Sequence, residues 1–595
     1  MPYQPTPLKP NQTWVYHPVE NVLGGIDLQK RSDQLADNQC ITLRNVLMKQ
    51  GQLLSDTGFK LFGQVIVGQP QLPVEFDHQD GTVEQMLVTT KTVYVWNNTL
   101  QKWMLLKGTA GTTTTSGYSA GATSIVVASG TGFSTADLVS IALDDGSQLQ
   151  TTITKTGTTF AIADAVPVGR SVANGAVVNR AVALTGSLSN QVSEVTIPGS
   201  NWWVFTNGVD IVKRYNGTDC VDVPNLPSTG NTICAAVALY NTALFLLNTN
   251  EGGTPHPQRA RRSDQTDPTN WTTGTAGFDD LLDSTDPIQC GRLLGPYLIV
   301  YRKKSIARGE FIGASGFNYN FETTIRGEGA ASVGSVADVI TDDGTFHVLL
   351  GQKNVYIYHG DYTLVPIGDQ IFFRAFSTQG NLDPQYVSRN WIVYVKELDE
   401  ILFFYTSVTS ATQLPDQTLR YSFRYKAWYE RIFFDQFSGA GVYAQANTFT
   451  WNDLVGDWNA QAWNWDSQSI SAKASVLLLC DTEESQVFAY DYVSALDNAT
   501  AIAYTVETKD YILPDARFRF DLLEFMIQGT GIKVEFSTDK GLSWTTLDTI
   551  TQAVLGKVQI YKQFVVDRVR FRWSGSSPDF IFQWYAFNYK IESDY

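Results

Sequence analysis

Apolar and polar residues alternate along most of this chain with a period of two, in short runs closed by Asn-Gly, Asp-Gly or Gly-rich turns. Met86-Leu87-Val88-Thr89-Thr90, a turn at Lys91-Thr92, and Val93-Tyr94-Val95-Trp96 predict a hairpin, which Trp103-Met104-Leu105-Leu106 continues after Asn97-Asn98. The same grammar returns at Trp202 to Thr206 with Ile211 to Tyr215, at Ala243 to Leu247, and at Tyr297 to Tyr301. It recurs at Thr345 to Leu350 with Val355 to Tyr358, and at Trp391 to Val395 with Ile401 to Tyr405. Half-buried antiparallel strands read this way, because successive side chains point to opposite faces of a sheet. A strand–turn–strand unit repeated about every 40 to 50 residues is the cadence of propeller blades. Long amphipathic helical windows are absent, which argues against a βαβ enzyme fold.

Two stretches depart from the cadence. Residues 108–183 turn to Gly, Thr, Ser and Ala yet keep strands around Asp144-Asp145-Gly146, which predicts a small β-domain inserted between two blades. Residues 501–595 alternate apolar with charged positions, as in Arg517-Phe518-Arg519-Phe520, and predict a half-exposed antiparallel sheet. The expected organisation is all-β: an N-terminal arm with first strands over 1–63, a β-propeller over 64–107 and 184–500, the insert, and a C-terminal antiparallel β unit. That last unit is a candidate for closing the propeller.

At 595 residues the chain exceeds one compact core, and 43% apolar residues are ample for packed interiors. Only 17% of residues are charged and the net charge is −16, so tight binding to phosphate backbones is disfavoured. Cys40, Cys220, Cys234, Cys290 and Cys480 are scattered without a C-x-x-C pair, which suits buried free thiols in a reducing cytosol. The first residues contain no apolar signal core, and no apolar run reaches membrane-spanning length, so membrane insertion is not expected.

Three motifs could carry chemistry. Trp451, Trp458, Trp463 and Trp465 crowd one segment rich in Asn, Asp, Gly and Ala; they suit a polar turn stapled by aromatics, or a platform that stacks on sugars. Ser537, Asp539, Gly541 and Trp544 match the Asp box S-x-D-x-G-x-x-W found in sialidases and related propellers. Its physics is that of a tight hairpin: the carboxylate caps turn amides, the glycine takes the strained backbone, and the tryptophan packs beneath. Arg259, Arg261 and Arg262 precede Ser263-Asp264, Asp267-Pro268 and Trp271. They could bind an anion, or Arg262 could pair with Asp264 across a turn anchored by Trp271; the turn chemistry favours the structural role. His17, His78, His256, His347 and His359 lack metal-binding spacing, Asp279, Asp280, Asp283 and Asp286 lack that of a calcium loop, and no phosphate-binding glycine motif occurs. Neither a catalytic constellation nor a cofactor is expected.

The tryptophan segment, the Ser263-Asp264…Asp267-Pro268…Trp271 element, and the opening Gly24-Gly25-Ile26-Asp27-Leu28 with Gln39, Asn45-Val46 and Gly51 to Gly58 together resemble the tail nozzle or hub proteins of short-tailed bacteriophages. These are also called tail tubular protein B or packaged-DNA stabilisation proteins. Ser55-Asp56-Thr57-Gly58 stands where that family carries an Arg-Pro-Gly strand end. The resemblance implies a homohexameric ring in the virion tail, beneath the portal and its adaptor (head-to-tail connector). It implies propellers around the channel through which double-stranded DNA passes, and an insert that docks fibres or spikes. Two other readings remain: a carbohydrate-binding or glycan-processing propeller, and a peripheral receptor-binding tail protein.

Overall fold

The computed structural model describes residues 14–314, 317–341, 344–444, 475–512 and 517–592. The fold is all-β, and its centre is a propeller of seven four-stranded antiparallel blades, six of them separate sheets and the sixth in order continuing into a fourteen-stranded sheet. Blades one to six span residues 70–105, 193–222, 232–280, 288–326, 336–366 and 391–431. The seventh takes Phe437–Ala444, Ser475–Asp481 and Val487–Tyr490 and borrows its outermost strand, Phe59–Leu61, from near the N-terminus. Among the described residues, the only α-helix is the single turn Phe372–Ala375. Frequent β-branched and aromatic residues and short turns leave no run long enough to nucleate a helix.

The closing strand therefore comes from the arm and not from the C-terminal unit. A strand from the start of the chain is thereby hydrogen-bonded to the last blade, whose outer edge it becomes. At the seam, Phe437–Ala444 lies directly against Pro70–Asp77 of blade one. A Cβ on Gly439 would stand 2.0 Å from the Gln71 carbonyl oxygen, and one on Gly441 1.8 Å from that of Pro73. Only glycine permits this backbone approach.

The first strands and the last co-fold. Val15–Val19, Val46–Lys49 and Gln52–Ser55 join a sheet whose other strands are drawn from Tyr504 to Glu592, and Cys40–Arg44 pairs with Tyr504–Thr508. This sheet meets the propeller at one parallel bridge, Arg44 to Glu430, and shares a continuous core with blades five and six through Val348, Phe403, Trp428, Phe525 and Trp573. Trp428 is fully buried, and its Nε1 donates to the Ile367 carbonyl at 2.6 Å. Burying a side chain of this size contributes about 3 kcal/mol. The propeller is thus an insertion within a terminal β unit.

Between blades one and two, residues 107–181 form a six-stranded barrel with its own core of Ile125, Ile141, Phe160 and Val178. It closes where Thr115 N–H donates to the Val126 carbonyl at 2.9 Å and Ala128 N–H to that of Thr113 at 2.8 Å. Gln148 and Gln150 fasten it to blade one: the Leu105 N–H donates to Gln148 at 2.8 Å, and the Gln150 amide donates to the Trp103 carbonyl at 2.9 Å. All five cysteines are buried and unpaired, and burial pushes the thiols of Cys40, Cys220, Cys234 and Cys290 up to about 12. No described helix is long and apolar enough to cross a membrane.

Candidate functional site

The innermost strands of the blades face a central channel. In it lies a cavity of about 140 Å³, lined by residues of blades one, two, four, five, six and seven, among them Gln71, Glu194, Arg292, Val336, Trp391 and Ser438. Such a volume matches a cavity of about 150 Å³ that holds one benzene ring.

Three charges meet around this channel without touching one another. Glu194 sits on Ser193–Ile197, Arg292 on Ile288–Leu294 and Asp338 on Val336–Thr341, each the innermost strand of its blade. Burial raises the Glu194 carboxyl above its ordinary value, despite the Arg292 charge and the Trp203 indole, whose Nε1 donates to it at 3.2 Å. Burial also works to raise Asp338, but the His347 hydrogen bond and the Arg292 charge overrule it and hold the carboxyl low. For Arg292, burial opposes the charge, and the fields of Asp338 and Glu194 outweigh it. Its buried Nε has no hydrogen-bond partner among the described residues, and neither has the buried Nε1 of Trp391.

His347 is fully buried behind Asp338. Its Nε2 lies 3.1 Å from Asp338 Oδ1 and 3.0 Å from the Leu293 carbonyl, and its Nδ1 lies 2.7 Å from the Tyr301 hydroxyl. Nε2 carries a proton in this arrangement, since both of its neighbours, the Asp338 carboxylate and the Leu293 carbonyl, only accept.

The residues singled out in the sequence lie elsewhere. Trp451, Trp458, Trp463 and Trp465 fall outside the described residues. Ser537, Asp539, Gly541 and Trp544 form the tip of a long hairpin. Asp539 accepts from the Ser543 N–H at 2.8 Å, and hydrogen bonds from Ser543 and Ser537 hold its carboxyl down at about 2. Gly541 has φ +88° and its N–H donates to Ser537 Oγ at 2.8 Å, while Arg572 stacks 3.9 Å over Trp544. The box serves its hairpin.

Arg262 does not pair with Asp264. It bonds Asp279 on the adjacent strand, and its Nε donates to the Thr275 carbonyl at 3.1 Å. Asp264 instead caps a loop through the N–H groups of Thr266 (2.9 Å) and Thr275 (2.7 Å), chiefly the Thr266 contacts holding it at about 2. The strand register explains the exchange: Arg262 lies opposite Gly277, so its side chain reaches across the strand pair, whereas Asp264 has already left the sheet. Arg259 is bidentate to Asp280 and Arg261 to Glu251, so all three arginines are neutralised. Asp267 caps Thr269 at 2.8 Å, and Trp271 is buried with Val204 and Leu244 between blades two and three. Asp283 is held by Arg302 and Arg326, and no cluster of metal-ligating side chains occurs among the described residues.

Glu194, Arg292 and Asp338 escaped the sequence reading because nothing marks them locally. Each is one polar position in an alternating strand, and only closure of the ring brings them together.

The sheets by themselves define a β-propeller carrying an inserted barrel and a terminal β unit. No protein-family model and no curated protein matches the chain. Among solved structures it is similar to exo-β-1,3-galactanase of Phanerochaete chrysosporium, at 6% identity over 69% of this chain and 97% of that one, with a TM-score of 0.23. It is also similar to Hsv2 of Kluyveromyces lactis, at 11% identity over 61% and 98%, with a TM-score of 0.24. Raptor of Chaetomium thermophilum matches at 6% identity over 73% of this chain and 29% of its own, with a TM-score of 0.25. Likenesses this distant carry no argument about activity.

Proposed function

We propose that this chain is a non-enzymatic structural subunit that assembles into the nozzle ring of a short-tailed bacteriophage tail, continuing the DNA channel below the portal and adaptor. The observation that carries the assembly part of this reading is the strand Thr545–Val566. It pairs with Arg517–Ser537 along one side and with no other described strand on its second side. It exposes Val554 (72%), Tyr561 (68%) and Val565 (39%), and only Asp548, Lys557 and Lys562 along it are charged. Proteins that remain alone keep such edges short or blunt them; the opposite edge of this sheet, Val15–Val19, is short and contains Pro18. The virion and tail parts of the reading rest on the sequence resemblance. The charge of −16 per chain suits a wall past which DNA slides without being held.

Light scattering and particle imaging of the purified protein test the reading. A closed ring is expected, with weak duplex binding at physiological salt. A stable monomer in solution and in the virion overturns it, and a lumen lined mainly by Lys and Arg overturns the channel wall. A glycan-processing reading has one observation in its favour, the two carboxylates Glu194 and Asp338 facing one channel. Against it, Asp338 is committed to His347 and is not among the residues that line the cavity. Turnover of aryl glycosides that disappears in Glu194→Gln would establish it in place of the structural reading.

A further inference from the structure

A buried N–H without a hydrogen-bond partner is costly, and the Nε of Arg292 is one, beside two carboxylates whose fields the arginine feels without an ion-pair contact. Glu194, Arg292 and Trp391 all line the same cavity, and the buried Nε of Arg292 and Nε1 of Trp391 have no hydrogen-bond partner among the described residues. The other polar linings are already engaged. The Gln191 amide donates to the Asn390 carbonyl (3.2 Å) and accepts from the Gly334 N–H (2.7 Å), and Ser438 donates to the Pro70 carbonyl (2.6 Å). Leu72, Val192, Val336 and Ile392 complete apolar walls. The Asp338 side chain is 50% exposed, so solvent reaches the channel on that side.

We propose that this cavity binds one uncharged, polyhydroxylated molecule of about six carbons, held between Arg292 and Glu194 against Trp391. The charge pattern selects the class. Arg292 is balanced by Asp338, so an added anion would meet Glu194 and Asp338, and an added cation would meet Arg292. A hydroxyl both donates and accepts, and so spans the gap between guanidinium and carboxylate that neither crosses alone. The volume, close to that of a six-membered ring, sets the size. The site is independent of ring assembly and requires no bond to be made or broken.

The test is titration of the full-length protein with glucose and with myo-inositol, followed by calorimetry and saturation-transfer NMR, with glucuronate as the charged control. Saturable binding of the uncharged pair is expected, weakened roughly tenfold or more in Arg292→Gln and in Glu194→Gln, since each removes a hydrogen bond to a charged group. Glucuronate should bind more weakly than glucose. Should either variant fail to fold, a structure of the wild-type protein soaked in myo-inositol decides: density for the ring between Arg292 and Glu194 supports the site. Water alone there overturns the proposal, as does equal binding by wild type and both folded variants, or no saturable binding at tens of millimolar.

Discussion

Two regions of this molecule gather charges, one in its interior and one around the propeller channel, and they do so in opposite ways. Where the closing strand enters blade seven, Asp56 accepts from Arg420 at 2.6 Å and lies 3.1 Å from Arg431; Arg431 also holds Asp497 at 2.7 Å, and Arg420 lies 3.3 Å from Glu400. Asp56, Glu400, Arg420 and Arg431 are all 2% exposed or less. Here every charge touches its opposite. In the channel, Glu194, Arg292 and Asp338 feel one another's fields without contact between the arginine and either carboxylate. Contact means that the first network neutralises its charges pair by pair and serves to lock the closing strand, although Arg420 Nε and Glu400 Oε2 meet at 3.3 Å without forming a hydrogen bond. Separation means the second has capacity left over, which is what a binding site needs. Burial of charge alone does not distinguish the two regions; direct contact between opposite charges does.

The largest expected effect comes from breaking the network of touching charges. Asp56→Ala leaves two buried arginines short of an anion and should cost about 3–5 kcal/mol, read as a lower denaturation midpoint. A loss below about 1 kcal/mol would mean that the network does not lock the ring.

Next is pH. Burial pushes the Glu400 carboxyl up to about 7, despite Arg420 and Tyr429. An acid whose pKa is higher folded than unfolded binds its proton more tightly in the folded state. Its contribution is therefore full at low pH and is lost as pH rises, here from about 4.3, the unfolded value, through about 7. The wild type should lose on the order of 1–3 kcal/mol across that window relative to Glu400→Gln. Parallel stability–pH curves would refute the assignment.

In the channel the expected effects are small. Arg292→Gln removes no direct ion pair and should change stability by less than about 1 kcal/mol, in contrast to Asp56→Ala. A loss as large as that of Asp56→Ala would erase the distinction between the two regions. Smallest of all, Glu194→Gln should leave stability at neutral pH unchanged or slightly raised, because it removes a carboxylate whose ionisation burial opposes. A clear destabilisation by thermal melting would show that Glu194 is part of the scaffold.

Much of the fold was legible in the chain. The period-two runs at Met86 to Trp96, Trp391 to Val395 and Ile401 to Tyr405 lie in paired strands of blades one and six, and the Gly/Thr/Ser island corresponds to the barrel at 107–181. Alternation is a local property, fixed by which face of a strand meets the core, so it survives in one dimension. The Asp box was legible for the same reason, since Ser537, Asp539 and Ser543 bond within a few residues of one another.

Long-range partners were not legible. Arg262 found Asp279 instead of its near neighbour Asp264, because strand register decides which side chains lie side by side. The closing strand came from Phe59–Leu61, more than four hundred residues from its partner Val487–Tyr490 in sequence, so no local pattern could mark it. Asp56 was one position of the Ser55-Asp56-Thr57-Gly58 segment, with no role marked, until the ring placed it between Arg420 and Arg431. The channel charges come from three blades, and each is an unremarked polar position in its own strand. The sequence determined what each segment forms, because backbone pleat and side-chain burial act over a few residues. Tertiary structure alone decided which charges meet and which stay apart, because ring closure sets distances between residues that the chain separates by hundreds.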